Sequence, residues 1–267
     1  MPYLSPALNV MVAAARKAGR GLIRDFGELE NLQVSLKGPA DFVSNADERT
    51  ERILIDELSR ARPGYGFLCE ETGLREGPDK SHRFIIDPID GTTNFLHGIP
   101  IFAVSIALER DGQLASAVVY NPVVDEMYVA EKGQGAYLNN KRLRVAARKS
   151  LAESLFATGI PFMGRPQHER ALDELKAVMG RSSGIRRCGA ASLDLAGVAM
   201  GRYDGFWEHD LNPWDIAAGV LLVREAGGIV TDLDGGARAL ETGNVLAANE
   251  ALHPQILKLL KDAGPAC

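Results

Sequence analysis

Asp87 and Asp90 stand three residues apart, in the stretch Ile85-Ile86-Asp87-Pro88-Ile89-Asp90-Gly91-Thr92-Thr93-Asn94-Phe95. The apolar residues before them read as the end of a buried strand. Pro88 and Gly91 read as a turn, and the residues after Gly91 as a helix start. Carboxylates gather hard cations, and N–H groups at a helix start gather phosphate. Eleven residues that hold both suggest a metal-assisted phosphate site. Taken singly, each candidate acid has an ordinary explanation. Asp90-Gly91 alone is most often a turn. Glu70-Glu71 alone is a solvated pair at a strand end, and Asp215 suits the first turn of a helix through the macrodipole. Taken together, Glu70 and Asp87 both follow short apolar strands and are expected at one sheet edge. Pro88 then holds Asp90 near Asp87, and Asp215 completes the set from across a cleft. Four acids without matching lysine or arginine repel one another, and all-oxygen ligands favour Mg²⁺ over zinc.

The elements that must position these residues follow from periodicity. A first amphipathic helix uses Leu4, Leu8, Met11, Val12, Ala15, Leu22 and Phe26, with Ser5-Pro6 as its start. A short strand at Gln33–Leu36, a loop at Lys37–Asp41 and a second helix over about Asp47–Arg60 come next. Short strands Gly66–Cys69 and Arg83–Asp87 deliver Glu70 and the Asp pair, across a polar loop at Thr72–Ser81. From Phe102 to Leu138, four strands with turns at Asp111-Gly112, Asn121-Pro122 and Asn139-Asn140 form an antiparallel meander. The second half alternates: strands at Leu155–Thr158, Ile185–Cys188, Gly205–Glu208, Ile229-Val230 and Val245–Ala247. Its helices are His168–Met179, Ala191–Met200, Pro213–Ala226 and about Glu250–Lys261. The expected class is α+β passing into α/β, divided as residues 1–145 and 146–267 with the site between the halves.

The remaining features bound the function. The chain has 267 residues, 46% hydrophobic and 24% charged, long enough for a sizeable core. A net charge of −5 argues against nucleic acid as a direct partner. Cys69, Cys188 and Cys267 are odd in number and widely spaced, which fits a reducing cytoplasm better than a disulfide framework. No run approaches the roughly 20 apolar residues of a membrane span, so no membrane association is expected. The histidines show neither HxH nor HExxH spacing, and no Walker A, GxGxxG or GxSxG motif precedes a helix.

Asp87 to Phe95 resembles the first signature of the inositol monophosphatase family. Trp214-Asp215-Ile216-Ala217-Ala218-Gly219 resembles its second, followed by Glu225-Ala226-Gly227-Gly228. The likeness also takes in Lys37…Asp41, Asp47, Glu70-Glu71 and Gly189-Ala190-Ala191. It implies a layered αβαβα sugar-phosphatase fold, a homodimer, two to three Mg²⁺ ions and inhibition by Li⁺. On that pattern Glu70, Asp87 and the carbonyl of Ile89 hold one Mg²⁺. Asp87, Asp90 and Asp215 hold a second, and Glu70 with waters a third. Thr92 with Asp47 orients the attacking water, and the amides of Gly91 and Thr92 bind phosphate. Glu208 hydrogen-bonds substrate hydroxyls, Gly189, Ala190 and Ala191 contact the ring, and Arg186 matches a basic position of bacterial members. The implied reaction is direct attack of a metal-activated water on a phosphate monoester, inositol 1-phosphate first, with tolerance for other polyol phosphates. Sister enzymes acting on fructose 1,6-bisphosphate, histidinol phosphate or 3′-phosphoadenosine 5′-phosphate share the Asp pair. A binding protein that serves the transcription machinery is the non-enzymatic alternative.

Overall fold

A computed structural model describes residues 5–29, 34–38 and 41–263. Leu4, Gln33, Pro39, Ala40 and Cys267, which the sequence reading used, lie outside them, as do the side chains of Lys37 and Asp41. Helix α1 (Pro6–Phe26) begins where Ser5 accepts the Leu8 amide and proline takes the first turn. Strands β1 (Val34–Gly38) and β2 (Asp41–Ser44) form a small hairpin. Helix α2 (Asn45–Ala61) follows, opened by a capping box between Ser44 and Asp47.

Eight strands make the larger sheet: β3 (Gly66–Cys69), β4 (Gly73–Arg75), β5 (His82–Asp90), β6 (Ala103–Arg110), β7 (Gln113–Asn121), β8 (Glu126–Glu131), β9 (Gly135–Leu138) and β10 (Lys141–Arg142). Their order is β10-β9-β8-β7-β6-β5-β3-β4. Every neighbouring pair is antiparallel except β3 and β5. The expected meander is therefore present. The segment read as a polar loop after Glu71 instead contributes the edge strand β4, whose Leu74 is exposed and gave no apolar alternation to detect. Helix α3 (Thr92–Leu96) is a single short turn after β5.

The smaller sheet has the order β12-β11-β13-β15-β14, from β11 (Leu155–Thr158), β12 (Gly184–Arg186), β13 (Gly205–Glu208), β14 (Ile229–Thr231) and β15 (Val245–Ala248). Its helices are α4 (His168–Met179), α5 (Ala191–Ala199), α6 (Pro213–Glu225), α7 (Ala239–Thr242) and α8 (His253–Ala263). β11 lies parallel to β12 and β13, while β15 runs antiparallel to β13 and β14.

Three apolar clusters show the layering. One packs α1 and α2 on one face of the large sheet, through Met11, Leu22, Leu54 and Ile86. A second lies between the sheets and includes Ile85, Ala107, Leu195, Ile216, Leu221 and Phe206, so α5 and α6 sit in the middle. The third packs α4 and α8 outside the small sheet, through Phe156, Val178, Trp207 and Ile256. The order is αβαβα. α6 is buried almost all round, from Ile216 to Val223, as a helix between two sheets must be. A fully buried Leu or Ile contributes roughly 1.5–3 kcal/mol, so Ile216, Leu221 and Leu222 anchor α6 and fix where Asp215 at its start can point.

Candidate active site

β5 carries the Asp pair by means of a bulge. Asp87 pairs with Ser105 and Asp90 with Ala103, so three steps on β5 match two on β6. Residues three apart in a regular strand face opposite sides. The extra residue restores the parity and turns both acids towards the central layer, while Ile89 enters the core under α1 and α2. The Asp87 carboxylate accepts the Ile89 amide at 2.9 Å. Pro88 has no N–H to lose at this break in the ladder. Gly91 then adopts φ 97°, and a Cβ there would come within 2.9 Å of the Ile101 carbonyl. The chain needs glycine to turn at this point. The amides of Gly91 and Thr92 precede the first bond of α3, from the Phe95 amide to the Gly91 carbonyl at 3.0 Å.

Glu70 reaches the same place because its amide continues the β3–β5 ladder onto the Ile86 carbonyl at 3.1 Å. Its carboxyl hydrogen-bonds Asp87. Asp47 comes from α2. Its Oδ2 accepts the Ser44 amide at 2.8 Å and hydroxyl at 2.7 Å, and its Oδ1 lies 3.1 Å from the Thr92 hydroxyl. Thr92 Oγ1 is also 2.9 Å from the Ile89 carbonyl. Asp215 caps its own helix, accepting the Asn212 amide at 2.7 Å.

Asp90 spans the cleft. It accepts the amides of Ala191 at 3.2 Å and Ser192 at 2.8 Å, together with the Ser192 hydroxyl. A first-half acid thus caps α5 of the second half. Asn94 adds a second tie, donating to the carbonyls of Ile101 and Cys188 at 2.8 Å each. These bonds set the loop Gly189–Ala191 directly against the Asp90 turn.

The electrostatics are those of crowded acids. Burial, then the charges of Glu70, Asp90 and Asp215, hold the Asp87 carboxyl well above the usual range. Burial also raises Asp215 strongly, against its Asn212 bond and with the charges of Asp90 and Glu70. Asp47 and Asp90 are each pushed up to about 6 by burial, although Ser44 and Ser192 respectively oppose the shift. Burying one carboxylate costs several kcal/mol, and one hydrogen bond to a charged group returns about 1.5–3 kcal/mol. Amide partners alone do not offset three such acids. Among the described residues no lysine or arginine hydrogen-bonds Asp87, Asp90 or Asp215. Nor are three of the described acids, thiols or imidazoles drawn into one cluster able to hold an ion unaided; each acid instead takes a neighbouring amide or hydroxyl. The donor set is nonetheless all oxygen, dense and short of positive charge, which fits hard divalent cations.

The substrate side is less uniform. Glu208 ends β13 with its carboxyl laid on Gly159, where an added Cβ would fall 1.8 Å from Oε1. Burial pushes Glu208 up to about 8, aided by the charge of Asp194 and opposed by Arg187. Arg186, expected among the substrate contacts, is the last residue of β12. Its guanidinium is exposed and bonds the Ile185 carbonyl at 3.0 Å. Arg187, one residue beyond β12, is the one beside the loop, its Nη1 2.3 Å from where a Gly189 Cβ would stand.

Three further residues escaped the sequence reading. Glu51, buried one turn after Asp47, accepts the amides of Glu71 at 2.9 Å and Thr72 at 3.0 Å, and so fixes the segment that bears Glu70. Ser192 and Asp194 are buried in the first turn of α5, just after the loop Gly189–Ala191. The i, i+4 pair of acids on the apolar face of α2 was the one available signal.

Comparison with known proteins decides the family. The model of the inositol monophosphatase family matches residues 3–264. The chain belongs to that family. It is 60% identical over 257 residues to the inositol-1-monophosphatase of Mesorhizobium japonicum, covering 96% of this chain and 97% of that protein. It is 42% identical to the Nus factor SuhB of Escherichia coli, over 97% of each. Among solved structures, the extragenic suppressor protein SuhB of Bartonella henselae superposes with a TM-score of 0.95 at 56% identity, covering 96% of this chain and 99% of that one. An inositol monophosphatase of Thermotoga maritima gives 0.88 at 34%, covering 96% and 97%. Both resemblance and layered fold are as the sequence implied, and the family is metal-dependent.

Proposed function

We propose that this chain is a Mg²⁺-dependent phosphomonoesterase that converts inositol monophosphate to myo-inositol and phosphate and tolerates other polyol phosphates. The observation that carries the reading is the set of acids at Asp87, Asp90 and Asp215, raised by burial and then by neighbouring acidic charge and lacking a described basic partner. Relatives 56–60% identical that are named inositol-1-monophosphatase support the substrate. Glu70, Asp87 and the Ile89 carbonyl would hold one Mg²⁺, and Asp87, Asp90 and Asp215 a second. Glu70 serves a third, and Li⁺ is the expected inhibitor. The bound cations would supply positive charge for the phosphate oxygens and ease deprotonation of water.

The chain's own groups do the rest. When the Thr92 hydroxyl donates its hydrogen bond to Asp47, its lone pairs are left to accept from an attacking water and aim it. The Gly91 and Thr92 amides face a phosphate. Gly189, Ala190 and Ala191 form the wall against the ring, held in place through Asp90 and Asn94. Glu208 at a raised pKa both accepts from and donates to hydroxyls near neutral pH. Arg187, rather than Arg186, is the cation beside this wall. The division at 1–145 and 146–267 is supported by the change of sheet between Arg142 and Leu155. A homodimer in the cytoplasm is part of this proposal. The cytoplasmic assignment draws support from the free thiols of Cys69 and Cys188 and from the lack of any helix, among the described residues, long and apolar enough to cross a membrane.

The test is phosphate release with Mg²⁺ from inositol 1-phosphate, fructose 1,6-bisphosphate, histidinol phosphate and 3′-phosphoadenosine 5′-phosphate. Inositol 1-phosphate should be turned over best, and a clear preference for another ester would replace it. Relatives 42–46% identical that are named Nus factor or putative Nus factor SuhB favour an additional transcription role. Binding to purified transcription-elongation complexes by a catalytically inert Asp90→Asn variant would separate that role from hydrolysis.

A further inference from the structure

Glu174 takes no part in the chemistry above, yet it is a charged side chain on α4 only 1% exposed. Its carboxylate accepts from Trp207 Nε1 at 3.2 Å, from His209 Nε2 at 2.9 and 3.0 Å, and from Arg170 Nε at 2.9 Å. Burial opposes the charge, but His209 and Arg170 outweigh it and hold the carboxyl below the usual glutamate range. An ionised carboxylate only accepts, so Nε2 of His209 carries a proton. If the purpose were packing alone, an apolar residue would serve as well, since replacing a buried ionic group by a well-packed hydrophobe is often neutral or stabilising.

What Glu174 holds is the pair that flanks Glu208. Side chains alternate along β13. Phe206 belongs to the central core and Trp207 to the outer one. Glu208 therefore returns to the cleft side, and His209, one residue past the strand, meets the same Glu174 carboxylate as Trp207. Two anchors to one carboxylate, one on each side of Glu208, fix the rotation of the intervening peptide. The Thr158 hydroxyl adds a third constraint through its 2.7 Å bond to the Trp207 carbonyl.

We infer that Glu174 is a positioning residue for polyol recognition, which sets the Glu208 carboxyl on Gly159 by clamping Trp207 and His209 from behind the sheet. The inference rests on the reading of Glu208 as the hydroxyl-binding acid. It predicts an effect on selectivity with no effect on phosphate chemistry.

The experiment compares kcat and KM for inositol 1-phosphate and for p-nitrophenyl phosphate, which has no polyol hydroxyls. Glu174→Ala should lower kcat/KM for inositol 1-phosphate by roughly ten- to a hundredfold, mostly through KM, as a displaced contact does. Hydrolysis of p-nitrophenyl phosphate should stay within about twofold. Glu174→Gln should recover most of the loss, because its amide oxygen still accepts the indole N–H. In a Glu208→Ala background, Glu174→Ala should add nothing further. Trp207→Phe, which keeps the ring and deletes the donor, should shift selectivity the same way by less, and it carries the test if Glu174→Ala fails to fold. Equal losses on both substrates, or multiplying losses in the double variant, overturn the positioning role. A wild type inert towards both esters overturns the phosphatase reading and this inference with it.

Discussion

The two walls of the cleft are built in different ways. On the β5 wall the acids other than Asp90 are held by a partner close in sequence or on a neighbouring strand: Asp87 by Ile89, Asp47 by Ser44, Glu70 by the ladder to Ile86. On the β13 wall the groups proposed to meet substrate depend on distant residues. Glu208 rests on Gly159, its neighbours on Glu174, and the loop Gly189–Ala191 on Asp90 and Asn94. Local anchoring gives the acids a fixed geometry in which to oppose one another. Remote anchoring lets the polyol wall be retuned by changes outside it. The first wall is suited to constant chemistry and the second to variable selectivity.

The strongest way to break this division is Asp90→Asn, because Asp90 belongs to both walls. It removes a charge and a proposed metal ligand, and weakens the cap on α5. Turnover on every ester should fall on the order of a thousandfold, with circular dichroism showing the fold retained. Activity within a few-fold of wild type would refute the assignment of the metal wall.

Metal removal probes the first wall alone. In EDTA the native protein keeps protons on Asp47 and Asp90 up to about pH 6, whereas the unfolded chain loses them near the ordinary value of 3.8. The native state therefore binds more protons in that interval, and stability falls as pH rises through it. The Tm in EDTA should be lower at pH 7.5 than at pH 5.5. Excess Mg²⁺ should restore several degrees at pH 7.5 and less at pH 5.5, with activity returning in parallel. An equal Mg²⁺ shift at both pH values would show that the acids are not the binding groups.

Glu208→Ala sharpens the contrast from the other side. The preference for inositol 1-phosphate over p-nitrophenyl phosphate should drop about tenfold, while the Mg²⁺ dependence of activity stays as in wild type. A changed Mg²⁺ requirement would place Glu208 on the metal wall. The smallest effect is expected at Glu51→Gln, which replaces one of the two oxygens that hold the Glu71 and Thr72 amides. A stability loss of about 1–3 kcal/mol in denaturant titration, with a modest rise in the Mg²⁺ requirement through Glu70, would fit its place. No change in either would mean that the segment is fixed by other bonds.

The sequence by itself determined the family, the order of the longer elements and the position of each acid along the chain, while the short edge strand β4 read as a loop. Types and spacings carry that information: Asp87 and Asp90 before a glycine turn, Asp215 after Asn212-Pro213, apolar strands ahead of Glu70. Tertiary structure decided parity and partnership. No one-dimensional pattern shows that β5 gains a residue against β6 and so turns Asp87 and Asp90 to one side. Nor does it show that Arg187 rather than Arg186 stands beside Gly189, since that follows from the course of the chain after β12. The roles of Glu51 and Glu174 are hidden in the sequence because the partners that define them lie 20 to 35 residues away. Local sequence fixes what a residue can do chemically; the packing of the layers fixes what it meets.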